Sequence, residues 1–198
     1  MKIGPRAIGP GQPPYIIAEL GVNHDGSIDR ALHLTRLAAQ AGADAIKLQF
    51  FRADLLMSRA SRLATYQKDA GEKDPAEMLR RLELDVPSMS RVIDLAHELG
   101  IHAIVTIFSV PLIAEASVLP WDAFKTASPD IIHRPLLDGL MSRGKPMIIS
   151  TGTSTLAEVE RALDWLRPAA SRVAVLQCVS SYPAPDEAAG LGAMRDLT

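Results

Sequence analysis

The sequence predicts an α/β protein of the (β/α)8 TIM-barrel type, with about six βα units in this chain. Three observations point that way. Short apolar runs alternate with amphipathic helical stretches. No two runs are joined by a hairpin-length turn, so every connection is a crossover and the strands should be parallel. Polar residues collect at the carboxyl ends of the runs, and a barrel gathers those ends on one face.

Residues 15–20 (YIIAEL), bounded by Pro14 and Gly21, predict the first strand. Residues 28–40 predict a helix, because Ile28, Ala31, Leu32, Leu34, Leu37 and Ala38 follow helical spacing and Gly42 is placed to end it. Residues 44–49 (DAIKLQ) predict the second strand. Residues 50–87 read as irregular and charged, with Tyr66 and Gln67 in the middle; connections this long are often functional or carry short helices. A helix follows over 88–99, ended by Gly100, then a strand over 101–106, a short helix over 112–118 and a short strand over 123–125. Residues 135–142 predict a helix with Pro135 at its start. A strand over 146–150 leads to a helix over 155–166, where Thr155 as N-cap and Glu158 three residues on form a capping-box pattern. The last strand is 172–177, followed by SSYPAP.

A doubly wound open sheet also fits alternating strands and helices. That reading calls for a Gly-rich phosphate turn after an early strand, and VNHD between Gly21 and Gly26 is neither a G-x-G-x-x-G nor a P-loop. The barrel gains from Glu19, Lys47 with Gln49, Thr106, Lys125 with Ser128, Ser150, and Ser180 with Tyr182, all at or just past strand carboxyl ends. Lysines inside strands need partners, and an anionic ligand would supply them to Lys47 and Lys125.

Composition narrows the classes. A net charge of −2 with no clustered basic face, and 5% aromatics, argue against a nucleic-acid partner. Cys178 is the single cysteine, so neither a disulfide within the chain nor a Cys-based zinc site is expected. The Pro/Gly-rich amino terminus has no apolar signal region, and no run of ~18 apolar residues exists to span a bilayer, so no membrane partner and a cytoplasmic location are expected.

Five boxes then appear in order. They are PYIIAELGVNHDGS (14–27), AGADAIKLQFF (41–51), FKTASPDI (124–131), GKPMIISTGTST (144–155) and LQCVSSYPAP (176–185). Together they resemble the sialic acid synthase (N-acetylneuraminate synthase) family, with TYQK (65–68) and LELD (82–85) where that family has similar short pieces. The resemblance runs from about residue 13 to 198. It implies a (β/α)8 barrel, usually followed by an antifreeze-like domain that reaches into a partner subunit's site, so the full-length form is expected to be a homodimer. It also divides this chain into an N-terminal extension, 1–13, and a partial barrel, 14–198, lacking the last barrel units and the antifreeze-like domain. Three residues depart from the family pattern: Pro129 for Gly, Ile107 for Pro and Gln177 for His.

The implied activity condenses phosphoenolpyruvate with N-acetylmannosamine, or a related N-acetylated amino sugar, in surface carbohydrate biosynthesis. Lys47 and Lys125 resemble the phosphoenolpyruvate clamps; their bland alternative is a strand-end lysine reaching solvent. Glu19 would lie near the aldehyde carbon, to protonate the developing hydroxyl or orient water; its bland alternative is a salt bridge to a barrel lysine. Thr106, Ser128, Ser150 and Ser180 would add hydroxyl donors around phosphate and carboxylate, although such residues singly are more often turn or cap residues. Gln49, Asp130 and Tyr182 resemble sugar-binding positions. A divalent metal, Mn or Mg, is expected for the full-length family and would polarise the aldehyde; its two histidine ligands lie in later segments, so no metal ligand is assigned here. Asn23 and His24 read as loop-shaping, and His33, His97, His102 and His133 as surface or packing residues. Phe108, Phe124, Trp121 and Trp165 read as core or helix-packing residues, and Cys178 as a buried strand residue. The same resemblance leaves room for a legionaminic, pseudaminic or spore-coat synthase, or for an inactive truncated relative that binds an anion or a partner.

Overall fold

A computed structural model describes residues 1–56, 74–195 and 197 of the chain. Tyr66, Gln67 and the 65–68 segment lie outside the described residues.

The 1–13 segment contains a small antiparallel hairpin, β1 (Lys2–Ile3) with β2 (Arg6–Ala7). The main sheet is built from β3 (Ile17–Gly21), β4 (Ala45–Phe50), β5 (His102–Ile107), β6 (Ala123–Thr126), β7 (Met147–Ser150) and β8 (Val173–Leu176). All neighbours are parallel and the spatial order is the sequence order. Sequential parallel strands with helical crossovers are the TIM-barrel pattern, and β3 and β8 stand at the two ends of this sheet. No helix among the described residues is long and apolar enough to cross a membrane.

Strand alternation sorts the side chains. One face of the sheet carries Ile46, Leu48, Phe50, Val105, Ile107, Phe124, Met147 and Ile149, all buried in the main apolar core. The helices pack there: α1 (Ile28–Gln40), α4 (Val86–Glu98), α5 (Leu112–Ala116), α6 (Arg134–Met141) and α7 (Leu156–Trp165), with two shorter helices, α2 (Ala53–Leu56) and α3 (Pro75–Arg81), before α4. Ala31, Val92, Ile93, Leu136, Leu140 and Ala162, each 0% exposed, carry that packing. The opposite face starts with a second apolar cluster of Ile3, Ala45, Ile104, Ala123 and Ile148, joined by Tyr15, Ile17 and Leu176. Ile3 of the hairpin thus closes the amino-terminal end of the interior, and it is fully buried.

The helix starts follow local chemistry. Asp85 caps α4 by accepting from Ser88 N at 2.9 Å, with Pro87 in the first turn, so this helix begins two residues before the sequence-predicted 88. Asp74 caps α3 the same way, at 2.7 and 3.0 Å from Ala76 N and Glu77 N. The capping box at α7 is present: Thr155 Oγ1 accepts from Glu158 N, and Glu158 accepts from Thr155 N at 2.8 Å.

Several boundaries move. The first strand starts at Ile17 because Tyr15 and Ile16 are used differently: the Tyr15 hydroxyl bonds His102 Nδ1 at 2.8 Å and Ile16 N donates to the Asp44 carboxylate at 2.7 Å. The last strand is Val173–Leu176, since a 3-10 turn occupies Arg167–Arg172. Cys178 therefore lies two residues beyond the strand and is half-buried, which corrects its reading as a buried strand residue. Arg52 ties the region after β4 together: it meets Glu115 at 2.6 Å and Glu83 at 3.9 Å, and lies over the Phe50 ring.

Candidate functional site

Moving one alternation up each strand from the apolar cluster changes the chemistry. Ile17, Ala45, Ile104, Ala123 and Ile148 are succeeded, two residues on, by Glu19, Lys47, Thr106, Lys125 and Ser150. The same face of the sheet therefore carries an apolar layer below and a polar layer above.

Glu19 and Lys47 are ladder partners on β3 and β4. Lys47 Nζ lies 2.7 Å from Glu19 Oε2 and donates to Thr106 Oγ1 at 2.9 Å. The Lys47 side chain is 5% exposed against 52% for Glu19, so a buried ammonium is met by a carboxylate that still touches solvent. Burial pushes the Lys47 pKa down, and Glu19 works against that by charge and hydrogen bond. Two strands on, Lys125 Nζ donates to Ser150 Oγ at 2.5 Å and to Thr126 O at 3.2 Å. Burial again pushes this lysine's pKa down, and the nearby positive charge of Lys47 adds to the effect. A lysine whose pKa is lowered by a neighbouring positive charge favours an anion beside the two of them.

A hydroxyl cluster lies beside Lys125. Ser128 Oγ accepts from Gly152 N at 3.0 Å. A Cβ on Gly152 would lie 2.9 Å from Ser128 Oγ and would collide with Ser180 Oγ, so both serines converge on this backbone. Thr151 Oγ1 donates to Leu176 O at 2.8 Å and pins the end of β7 to the end of β8. Asp130 sits in the 3-10 turn Ser128–Ile132, with Pro129 in its first turn. Its Oδ2 is buried without a hydrogen-bond partner among the described residues, and burial pushes its pKa up, opposed by His133 and Lys125. Gln49 is on the same face as Lys47; a Cβ on Gly21 would lie 2.9 Å from Glu19 Oε1 and 3.5 Å from Gln49 Nε2.

Tyr182 is 78% exposed, in the segment after β8. A cavity of about 570 Å³ lies there too, lined by Val175, Leu176, Gln177, Val179 and Met194 among others, and by neither lysine. Its apolar lining belongs to the end strand of the sheet, and the chemistry belongs to the lysine layer. His24 is 1% exposed and its Nδ1 accepts from Gly26 N at 3.1 Å, so it shapes the turn in which Asp25 and Gly26 take positive φ. Burial pushes its pKa down.

Sequence reading missed three positions. Gly21 and Gly152 leave room for site side chains, and Thr151 joins two strand ends. Their signal is the glycine inside the boxes ELGVN and STGTS, whose reason lies in close approaches between segments far apart in sequence.

The chain matches the NeuB family model over residues 34–198. It is 35% identical over 198 residues to the uncharacterized protein MJ1065 of Methanocaldococcus jannaschii, covering 100% of this chain and 55% of that protein. It is 36% identical to the N,N'-diacetyllegionaminic acid synthase of Legionella pneumophila, covering 92% of this chain and 53% of the relative. The crystal structure of the N-acetylneuraminic acid synthetase of Leptospira borgpetersenii, in complex with citrate, superposes with a TM-score of 0.88 at 29% identity, covering 100% of this chain and 65% of that one. The chain spans about half the length of the curated relatives it matches.

Proposed function

The chain belongs to the NeuB family, and on that premise we propose that it is the phosphoenolpyruvate-binding part of a synthase for a sialic-acid-type sugar. Relatives include an N,N'-diacetyllegionaminic acid synthase, an N-acetylneuraminate-9-phosphate synthase, a pseudaminic acid synthase and a spore coat polysaccharide biosynthesis protein, which supports a family role in carbohydrate biosynthesis. The acceptor proposed is N-acetylmannosamine or a related N-acetylated amino sugar.

One observation carries the reading. Lys47, bonded to the Thr106 hydroxyl, and Lys125, bonded to the Ser150 hydroxyl, form a cationic layer across the consecutive strands β4 to β7. Phosphoenolpyruvate brings nearly three negative charges, and a preorganised pair of ammonium groups in a shielded site favours it strongly. The hydroxyls of Ser128 and Ser180 would complete the shell around carboxylate and phosphate oxygens.

The reaction forms a bond between C3 of phosphoenolpyruvate and the aldehyde carbon of the open-chain sugar. Water adds at C2, and the C2–O bond breaks to release inorganic phosphate. In this scheme Lys47 and Lys125 hold the phosphate through both steps. Glu19, the acidic side chain nearest Lys47, would manage the proton at the new hydroxyl or at the attacking water. Gln49 and Asp130 would bond sugar hydroxyls. Among the described residues no group of three or more His, Cys, Asp or Glu side chains could hold a metal ion. The residues present therefore do not fit the divalent metal expected for the family, and no step is assigned to it.

The test is phosphate release from phosphoenolpyruvate, with manganese, across a panel of N-acetylated hexoses. Release that requires an N-acetylhexosamine supports the reading. A protein that neither releases phosphate nor is protected from thermal unfolding by phosphoenolpyruvate overturns it.

A further inference from the structure

The two lysines share a face, but only one of them has a carboxylate in contact. Lys47 is in contact with a carboxylate, Glu19 Oε2 at 2.7 Å. Lys125 has only neutral oxygens in contact, Ser150 Oγ and Thr126 O, and no ion pair to a described residue. An anion entering between them meets one ammonium already neutralised and one waiting for charge.

The Glu19–Lys47 pair is also built to open. Lys47 is fixed: it is 4% exposed as a residue, held within the ladder, and bonded to Thr106. Glu19 is the movable partner, with a half-exposed side chain at the end strand of the sheet. Its carboxylate has space because residue 21 has no side chain. Gly21 takes φ +51 at a shift in the β3–β4 register, and a Cβ there would lie 2.9 Å from Glu19 Oε1. Lys47 stays buried when Glu19 swings away, so an anion that takes the place of the carboxylate spares the cost of leaving that ammonium unpaired.

We infer that Glu19 is the resident counter-ion of the anion site, competing with the incoming phosphate for Lys47 and so setting how tightly the site holds its substrate. The inference rests on the reading that this site binds a phosphoenolpyruvate-like anion. It adds to Glu19 a role in the empty site, distinct from proton handling during turnover. The arrangement keeps Lys47 neutralised between catalytic cycles and so weakens the hold on inorganic phosphate, the product. Lys125, with no carboxylate to displace, supplies the first hold on the anion.

The experiment measures the Kd of phosphoenolpyruvate and of inorganic phosphate by calorimetry on the wild-type protein, on Glu19→Gln and on Glu19→Ala. Glu19→Gln should tighten both ligands about tenfold, ~1.4 kcal/mol. The shorter Glu19→Ala should do the same, which separates loss of charge from a new amide contact. Lys47→Met should weaken binding more in the Glu19→Gln background than in the wild type, because the neutral residue no longer occupies the ammonium. Circular dichroism and melting temperature establish that each variant is folded. Unchanged or weaker binding by folded Glu19→Gln and Glu19→Ala overturns the inference and leaves the phosphoenolpyruvate reading standing. Absence of binding by the wild type and every variant overturns both.

Discussion

The amino-terminal and carboxyl-terminal ends of the sheet interior are made by the same strands, two residues apart, and they solve opposite problems. The lower layer is Ile3, Ala45, Ile104, Ala123 and Ile148, which need only volume and shape. The upper layer is Glu19, Lys47, Thr106, Lys125 and Ser150, where a buried and a half-buried ammonium are held by one ion pair and by hydroxyls. Backbone geometry is shared, so the difference lies in the side chains alone. Burying apolar groups stabilises a fold, whereas burying ammonium groups has a desolvation cost that neighbours only partly offset. The lower layer holds the strands so that the upper layer can keep an arrangement that is poor for stability and good for holding an anion.

Substitutions should separate the two layers. The largest effect is expected at Lys125→Ala. Loss of a positioned cation at developing or transferred charge should lower sugar-dependent phosphate release by about 10³-fold, ~4 kcal/mol in the transition state. The melting temperature should hold or rise, because the variant removes a half-buried ammonium rather than core packing. A large fall in melting temperature with activity retained would erase the division between the layers.

Next in size is Ile3→Ala in the lower layer. Ile3 is fully buried against strand residues from the hairpin side. Truncating it should cost about 3 kcal/mol of stability through lost transfer energy and a residual cavity. For a chain of this length that lowers the melting temperature on the order of 10 °C. Phosphoenolpyruvate affinity of the folded fraction should stay unchanged. An affinity change comparable to that of Lys125→Ala would mean that the two layers are coupled through the strands.

Thr155→Ala serves as a control outside both layers. It removes the capping box of α7, where Thr155 and Glu158 bond one another's backbone. The expected loss is about 1 kcal/mol, read from urea or thermal melts, with no effect on the anion site.

These sites also differ in how far the sequence revealed them. The capping box was legible because its partners are three residues apart. Glu19, Lys47, Thr106, Lys125 and Ser150 were legible because each breaks an apolar alternation near a strand end. The role of Ile3 was not, since a Pro/Gly-rich segment gives no period and Ile3 is buried in a cluster with strand residues far away in sequence. Pro87 looked like the end of a loop, yet in the first turn of α4 it loses no helical hydrogen bond. The pairing of Glu19 with Lys47 appeared in the sequence only as a bland alternative to catalysis. In the structure the pair exists, and the proposed chemistry is built on it.

The smallest expected effect is at Asp130, which lies beside the upper layer, in the turn after β6, and has no ion pair of good geometry. The imidazole of His133 is at the limit of ion-pair range, with Nδ1 4.0 Å from Oδ1. Burial, opposed by His133, the Ala127 backbone and Lys125, pushes the Asp130 pKa up from its ordinary value. A carboxyl group raised in the folded state binds its proton more tightly there than in the unfolded chain. Its contribution to stability is therefore fully present below the ordinary carboxylate pKa and is lost as pH rises through the raised value. Above that window the wild type carries a buried carboxylate with an unpaired Oδ2. Asp130→Asn should then be more stable by about 0.5 kcal/mol at neutral pH, and the difference should vanish in acid, where both side chains are neutral. Parallel melts at acid and neutral pH read this directly. A variant less stable than the wild type at neutral pH would show that Asp130 has a partner in solution and belongs with the paired groups. A variant more stable but slower with the sugar would place Asp130 with the lysines, as charge retained against stability for what it binds.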